Sequence, residues 1–206
     1  MKNSPENREQ GFTLIELLIA MALALIIIAA LSGAFISQRK TLITQDQVSE
    51  MIQGARAAMD MISREVKMAG YDPTDSGNFL IPYNSDSFTI DIYADVTDPP
   101  DGVVDTGTGS KEHITYSKAA GENIIKRNTN TGGGAQPFAE NIQSFTVGYF
   151  DANGAATTTA ADIREIKITI ETSTEQEDPN YTHPTNGDGY RTYKLTSSVT
   201  PPNLGL

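Results

Sequence analysis

The chain has 206 residues, 26 acidic against 15 basic side chains, a formal net charge of −11, and neither cysteine nor tryptophan. An acidic surface argues against a phosphate-backbone partner, which Lys and Arg must neutralise, so no nucleic acid is expected. Without cysteine there is no disulfide framework and no thiol nucleophile, and two histidines leave little material for a metal site.

Residues 1–11 are short and polar. From Phe12 to Ile36 the only charged residue is Glu16, and from Leu17 to Leu31 nothing is polar. At about 1.5 Å per residue, a helix over 12–36 reaches about 37 Å, enough to cross a bilayer core of about 30 Å. A charged, unpaired carboxylate at the edge of such a span costs on the order of a few kcal/mol, so Glu16 is a candidate functional residue. Nothing else in the segment can neutralise it, which points to a partner on another chain. Two plainer readings stay open. One is a secretory signal peptide cut after Ser32-Gly33-Ala34, leaving Phe35 as the first residue. The other is a single-pass anchor that is never cut. Lys2 and Arg8 before the span and Arg39 and Lys40 after it do not decide orientation.

From Ser37 the sequence turns polar but keeps a helical period. Val48, Ile52, Ala55, Met59, Ile62, Val66 and Ala69 recur at alternating steps of four and three, one apolar stripe on an amphipathic helix. Gly70 and then Pro73 supply a stop. The simplest expectation is one helix over 12–69, with an apolar half at 12–36 and an amphipathic continuation over 37–70. Gly33 is its one weak point. The stripe suits packing on a sheet better than a coiled-coil seam, because it is short and uses alanines.

After Tyr71 the composition shifts to Thr, Asn, Asp and Gly with short β-rich runs. Residues 88–93 alternate apolar and polar as a half-buried strand. Residues 113–117 and 123–127 flank Gly121 as a hairpin. Residues 97–111 and 129–134 read as loops. Residues 142–150 are the strongest strand, turned by Asp151-Ala152-Asn153-Gly154. Residues 163–172 place Ile166, Ile168 and Ile170 on one face. A polar loop over 173–189 precedes a last strand at 190–199, which Pro201-Pro202 ends. The expectation is α+β: a long N-terminal helix packed on a C-terminal antiparallel sheet formed by a meander over 71–206.

Catalytic constellations are not found. His113 and His183 stand alone, and there is no Gly-x-Ser-x-Gly elbow or phosphate loop. Asp98, Asp101 and Asp105 share one loop, and Asp151 to Gly154 begins like a Ca²⁺ loop. Neither has the full spacing with a terminal Glu, so both are read as solvated turns. Arg56, Arg64 and Lys67 against Asp60 and Glu65 read as solvated helix-surface charges. The chain is therefore expected to be no enzyme, to need no cofactor and to hold no metal.

Residues 11–20, Gly-Phe-Thr-Leu-Ile-Glu-Leu-Leu-Ile-Ala, resemble the processing motif of type IV prepilins and pseudopilins. The resemblance implies that residues 1–11 are a leader and that a prepilin peptidase cuts between Gly11 and Phe12. Phe12 then becomes the N-methylated first residue. Helix 12–36 would first hold the subunit in the bacterial inner membrane with its N-terminus cytoplasmic, and later form the core of a filament reaching across the periplasm or outside the cell. Glu16 would pair with the free amine of a neighbouring subunit, which can fix register. Further runs, Arg56 to Val66 into Ala69-Gly70-Tyr71, Ala139 to Gly154, and Leu195-Thr196 to Leu206, look like a PilW-type minor pilin. The middle pattern is also similar to J-type minor pseudopilins of type II secretion, whereas Glu16 disfavours the K-type, which usually lacks that acid. Many major pilins close their C-terminal region with a disulfide that this chain cannot form. The implied partners are prepilin peptidase, other minor and major pilins, the inner-membrane assembly platform and the membrane itself.

Overall fold

The computed structural model describes residues 11–97, 99–105, 107 and 110–204. The leader, other than Gly11, and Asp98 of the acidic loop lie outside the described residues. One helix, α1 (Leu14–Met68), is followed by seven strands: β1 (Thr89–Tyr93), β2 (His113–Ser117), β3 (Ile124–Asn128), β4 (Gln136–Glu140), β5 (Ile142–Phe150), β6 (Glu165–Ser173) and β7 (Thr192–Val199). A 3₁₀ turn at Ala160–Asp162 lies between β5 and β6.

The chain divides into two compact units, Met1–Gln45 and Asp46–Leu206. In the first, α1 runs unbroken through Gly33, and a window of it has a mean hydropathy of 2.9 with none of its residues buried.

The second unit is built on the stripe. Ala55, Met59, Ile62, Val66 and Ala69 are buried, together with Ala58, which the alternating period does not include; Val48 and Ile52 are only half-buried. The helix stops where Gly70 adopts φ 76°, and the Gly70 N–H turns out of the helix to donate to the Tyr93 carbonyl at 2.9 Å. A Cβ at Gly70 would stand 2.6 Å from Leu204 Cδ2, and Asn203 Nδ2 donates to the Ala69 carbonyl at 3.3 Å. The C-terminal segment therefore clasps the helix end without a disulfide. Mid-helix Gly54 has open space among the described residues where a Cβ would be, although it costs about 1 kcal/mol relative to Ala.

The predicted single meander is two sheets. One has the order β1-β2-β3-β4 and the other β5-β6-β7, with every pairing antiparallel. The break falls at Asn141, whose φ of 59° turns the chain between β4 and β5. β4 falls between the loop expected at 129–134 and the strand expected at 142–150. It carries Pro137, lacks a two-residue burial alternation and sits at a sheet edge, where the missing proline N–H is tolerated. The sheets meet in one core. Ile90 and Ile92 face Tyr116 and Ile114 across β1 and β2, while Phe145, Val147 and Tyr149 face Ile170, Ile168 and Ile166 across β5 and β6. These side chains and Met59, Ile62 and Val66 of α1 form a single buried cluster.

Candidate functional site

The residues singled out near the N-terminus sit at the first turn of α1. Phe12 is 90% exposed, and the helix begins at Leu14 rather than Phe12 because Thr13 caps it. The Thr13 backbone N–H and hydroxyl both donate to Glu16 Oε2, at 3.1 and 3.0 Å, and the Glu16 N–H donates to Thr13 Oγ1 at 3.3 Å. This is a reciprocal capping box, Thr-x-x-Glu, satisfying N–H groups that a helix start otherwise leaves unpaired. The signal for it, a Thr and a Glu three residues apart at the head of the apolar run, is present in the sequence. Thr13 thus holds one carboxylate oxygen by hydrogen bonds without neutralising it. No cation neutralises the group among the described residues, and Oε1 has no hydrogen-bond partner there. The arrangement leaves one carboxyl oxygen without a hydrogen-bond partner among the described residues, at the start of an apolar helix. Leu14, Ile15, Leu17, Leu18 and Ile19 around it are all more than half exposed.

A family profile described as the prokaryotic N-terminal methylation motif matches residues 7–32. Gly11, Phe12 and Glu16 all lie within that match. Among solved structures, a type IV-like pilin from Thermus thermophilus is similar, with a TM-score of 0.51 and 13% identity, covering 75% of this chain and 98% of that one. No curated protein matches the chain.

The chain has a type IV pilin-like fold and carries a prepilin-type motif. That motif implies processing by a prepilin peptidase, and the apolar helix behind it is compatible with membrane anchoring.

Within the pilin-like fold, the remaining candidates resolve into structural roles. His113 Nε2 lies 3.0 Å from Asp91 Oδ1, and its ring stacks on Tyr93 at 4.2 Å. Burial pushes the Asp91 carboxyl up, but hydrogen bonds from His113 and Thr115 outweigh it and hold the group below its ordinary value. His183 packs in its own loop, with Nε2 3.0 Å from the Thr192 hydroxyl and Nδ1 accepting from the Thr185 and Asn186 N–H groups. Asp151 Oδ1 accepts from the Asn153 and Ala155 N–H groups at 2.8 and 2.9 Å, which occupies it in its own turn and holds its carboxyl below the ordinary value.

The loop at 97–111 is flanked by two buried carboxylates that no sequence pattern marks. Asp95 and Glu112 are fully buried. Asp95 accepts from the Gly102 N–H at 3.0 Å, and Glu112 accepts from the Thr97 and Asp105 N–H groups at 3.0 and 2.7 Å. Backbone amides thus take the place a cation would fill, and no cluster of three metal-ligating side chains occurs among the described residues.

Arg64 and Asp60 do form the expected exposed helix pair, at 2.6 Å. Glu65 does not belong with them. It points inward, takes a hydrogen bond from the Tyr116 hydroxyl at 2.7 Å, and receives a two-pronged contact from Arg127 at 2.7 and 3.3 Å. Burial and then Glu65 push the Tyr116 hydroxyl well above its ordinary value. The cluster ties α1 to β2 and β3.

Proposed function

We propose that this chain is a minor type IV pilin, a structural subunit that helps prime or build a filament. Prepilin peptidase cuts between Gly11 and Phe12, Phe12 is N-methylated, and helix 12–36 holds the subunit in the inner membrane, single-pass with its N-terminus cytoplasmic, until it enters the pilus. Glu16 then receives the Phe12 ammonium of a neighbouring subunit. The observation that carries this reading is the half-engaged Glu16 carboxylate at the head of an uncovered apolar helix, inside a prepilin-type motif. A lone charge there is costly, and an ammonium arriving from another chain offsets that cost while fixing register. Partners on this reading are other minor and major pilins and the inner-membrane assembly platform. The β-sheets over 71–206 supply the lateral contacts, with no catalysis and no cofactor.

Mass spectrometry of the mature N-terminus tests the processing step. A methylated Phe12 is expected; a start at Phe35 or an intact Met1 end overturns the reading. Glu16→Ala is expected to be processed normally and to be lost from sheared filaments, and its normal incorporation would remove the pairing role. The resemblance of the middle of the chain to J-type pseudopilins supports a second reading, a minor pseudopilin of type II secretion. A deletion strain separates the two, losing pili in the first case and exoprotein secretion in the second.

A further inference from the structure

The Asp46–Leu206 unit carries a groove of about 440 Å³ between α1, β4 and the end of β6. Its floor includes Met51, Gly54, Met61 and Phe138, and its charged residues are Glu50, Glu140 and Glu175, with no basic side chain among the lining. All three glutamates are exposed, and none forms an ion pair or side-chain hydrogen bond among the described residues. Gly54 adds an independent observation. It sits inside a long helix where alanine would be preferred, and a Cβ there would meet nothing within 4 Å. No neighbour among the described residues requires that glycine, whereas an incoming backbone would, because a missing side chain permits close approach.

The complementary surface is on the same chain. Phe35, Arg39 and Leu42, and likewise Ile36, Lys40 and Ile43, stand at i, i+4 and i+7 along α1, so each row sets one base between two apolar side chains. Phe35, Ile36, Leu42 and Ile43 are all exposed. Neither Arg39 nor Lys40 is ion-paired among the described residues. We propose that the groove between Gly54, Phe138 and the glutamate rim receives residues 35–43 of a second copy of this chain. Apolar side chains of that helix seat on Met51, Met61 and Phe138 beside Gly54, and Arg39 and Lys40 meet Glu50, Glu140 and Glu175 at the rim. The rim charges select and orient the partner, and the apolar floor supplies the adhesion. This rests on the filament reading above and deepens it: the subunit repeats beside itself in the assembly.

The test uses the full chain in cells that build the filament, with Phe12 processing read in the same samples. Charge reversal at the rim, Glu50→Lys with Glu140→Lys, is expected to lower recovery in sheared filaments by about tenfold, the scale of a lost interface contact. Combining it with Arg39→Glu and Lys40→Glu is expected to restore recovery. Gly54→Leu is expected to lower recovery while protease resistance of the detergent-solubilised chain stays unchanged, and Gly54→Ala to raise that resistance. In two co-expressed copies, Ala57→Cys on one and Leu42→Cys on the other are expected to cross-link, and Ser198→Cys with Leu42→Cys to stay separate. Normal recovery of the rim reversal, failure of the combined reversal to restore it, or cross-linking of Ala57→Cys only to a different protein overturns the groove assignment. An unprocessed Phe12 in the parent chain overturns the filament reading itself, and so the two failures are distinguishable.

Discussion

Glu65 shows how far one side chain's role departs from its sequence neighbourhood. Flanked by Arg64 and Lys67 it looks like a solvated helix charge, yet its carboxylate is about four-fifths covered and serves three donors. Removing it leaves a buried phenol and a half-buried guanidinium without their acceptor. Glu65→Ala is therefore expected to cost about 2 kcal/mol in unfolding free energy, read by urea denaturation of the detergent-solubilised chain. Asp60→Ala breaks the exposed pair one turn earlier and is expected to change stability by less than about 0.5 kcal/mol. Equal effects would remove the distinction. Asp91 adds an acid-dependent contribution of definite sign. Its folded-state pKa lies below the ordinary 3.8, so the unfolded chain binds the proton more readily, and the stability it contributes is fully present above that value. As pH falls through the folded-state pKa the contribution is lost. The stability difference between the parent chain and Asp91→Asn is expected to be largest near neutrality and to shrink below about pH 4. A difference that stays constant into acid would mean that the His113 and Thr115 hydrogen bonds do not act through the charged carboxylate.

At the scale of elements, legibility followed local pattern. The stripe from Val48 to Ala69 and the alternations of β1, β5 and β6 repeat with one period, because one face of each is buried continuously. β4 was invisible because an edge strand with Pro137 neither alternates in burial nor needs every ladder hydrogen bond. The split into two sheets falls at Asn141, where a φ of 59° turns the chain, and no hydrophobic pattern encodes that turn. At the N-terminus, Gly11, Phe12 and Glu16 were legible as a motif, whereas the grip of Thr13 on Glu16 required reading Thr-x-x-Glu as a helix start. The buried pair Asp95 and Glu112 could not be told from the solvated acids of their loop, since their acceptors are filled by backbone amides brought in by the turn. The helix stop at Gly70 was legible, but its clasp by Leu204 was not, since the two are far apart in sequence. Gly70→Ala must place a Cβ against Leu204 at a positive φ. It is expected to destabilise by about 1–3 kcal/mol, and a thermal midpoint equal to that of the parent would mean that the C-terminal clasp yields freely.

At the scale of the whole molecule, the two units answer to different solvents. Among the described residues the buried apolar side chains begin at Ala55, so the Asp46–Leu206 unit contains every side chain of its own core cluster. Residues 14–45 add none, and their apolar side chains are exposed among the described residues. Burial in lipid or in a filament would remove that surface from water, at about 25 cal/mol per Å² of apolar area. It follows that residues 46–206 expressed alone should be soluble without detergent, monomeric by analytical ultracentrifugation, and cooperative in thermal unfolding with intact near-UV circular dichroism. The full chain should require detergent or sediment as large assemblies under the same conditions. Should the 46–206 fragment aggregate or unfold without cooperativity, the first part of α1 would be contributing to the core after all. A monomeric fragment beside an assembling full chain would instead assign the drive to polymerise to the uncovered helix.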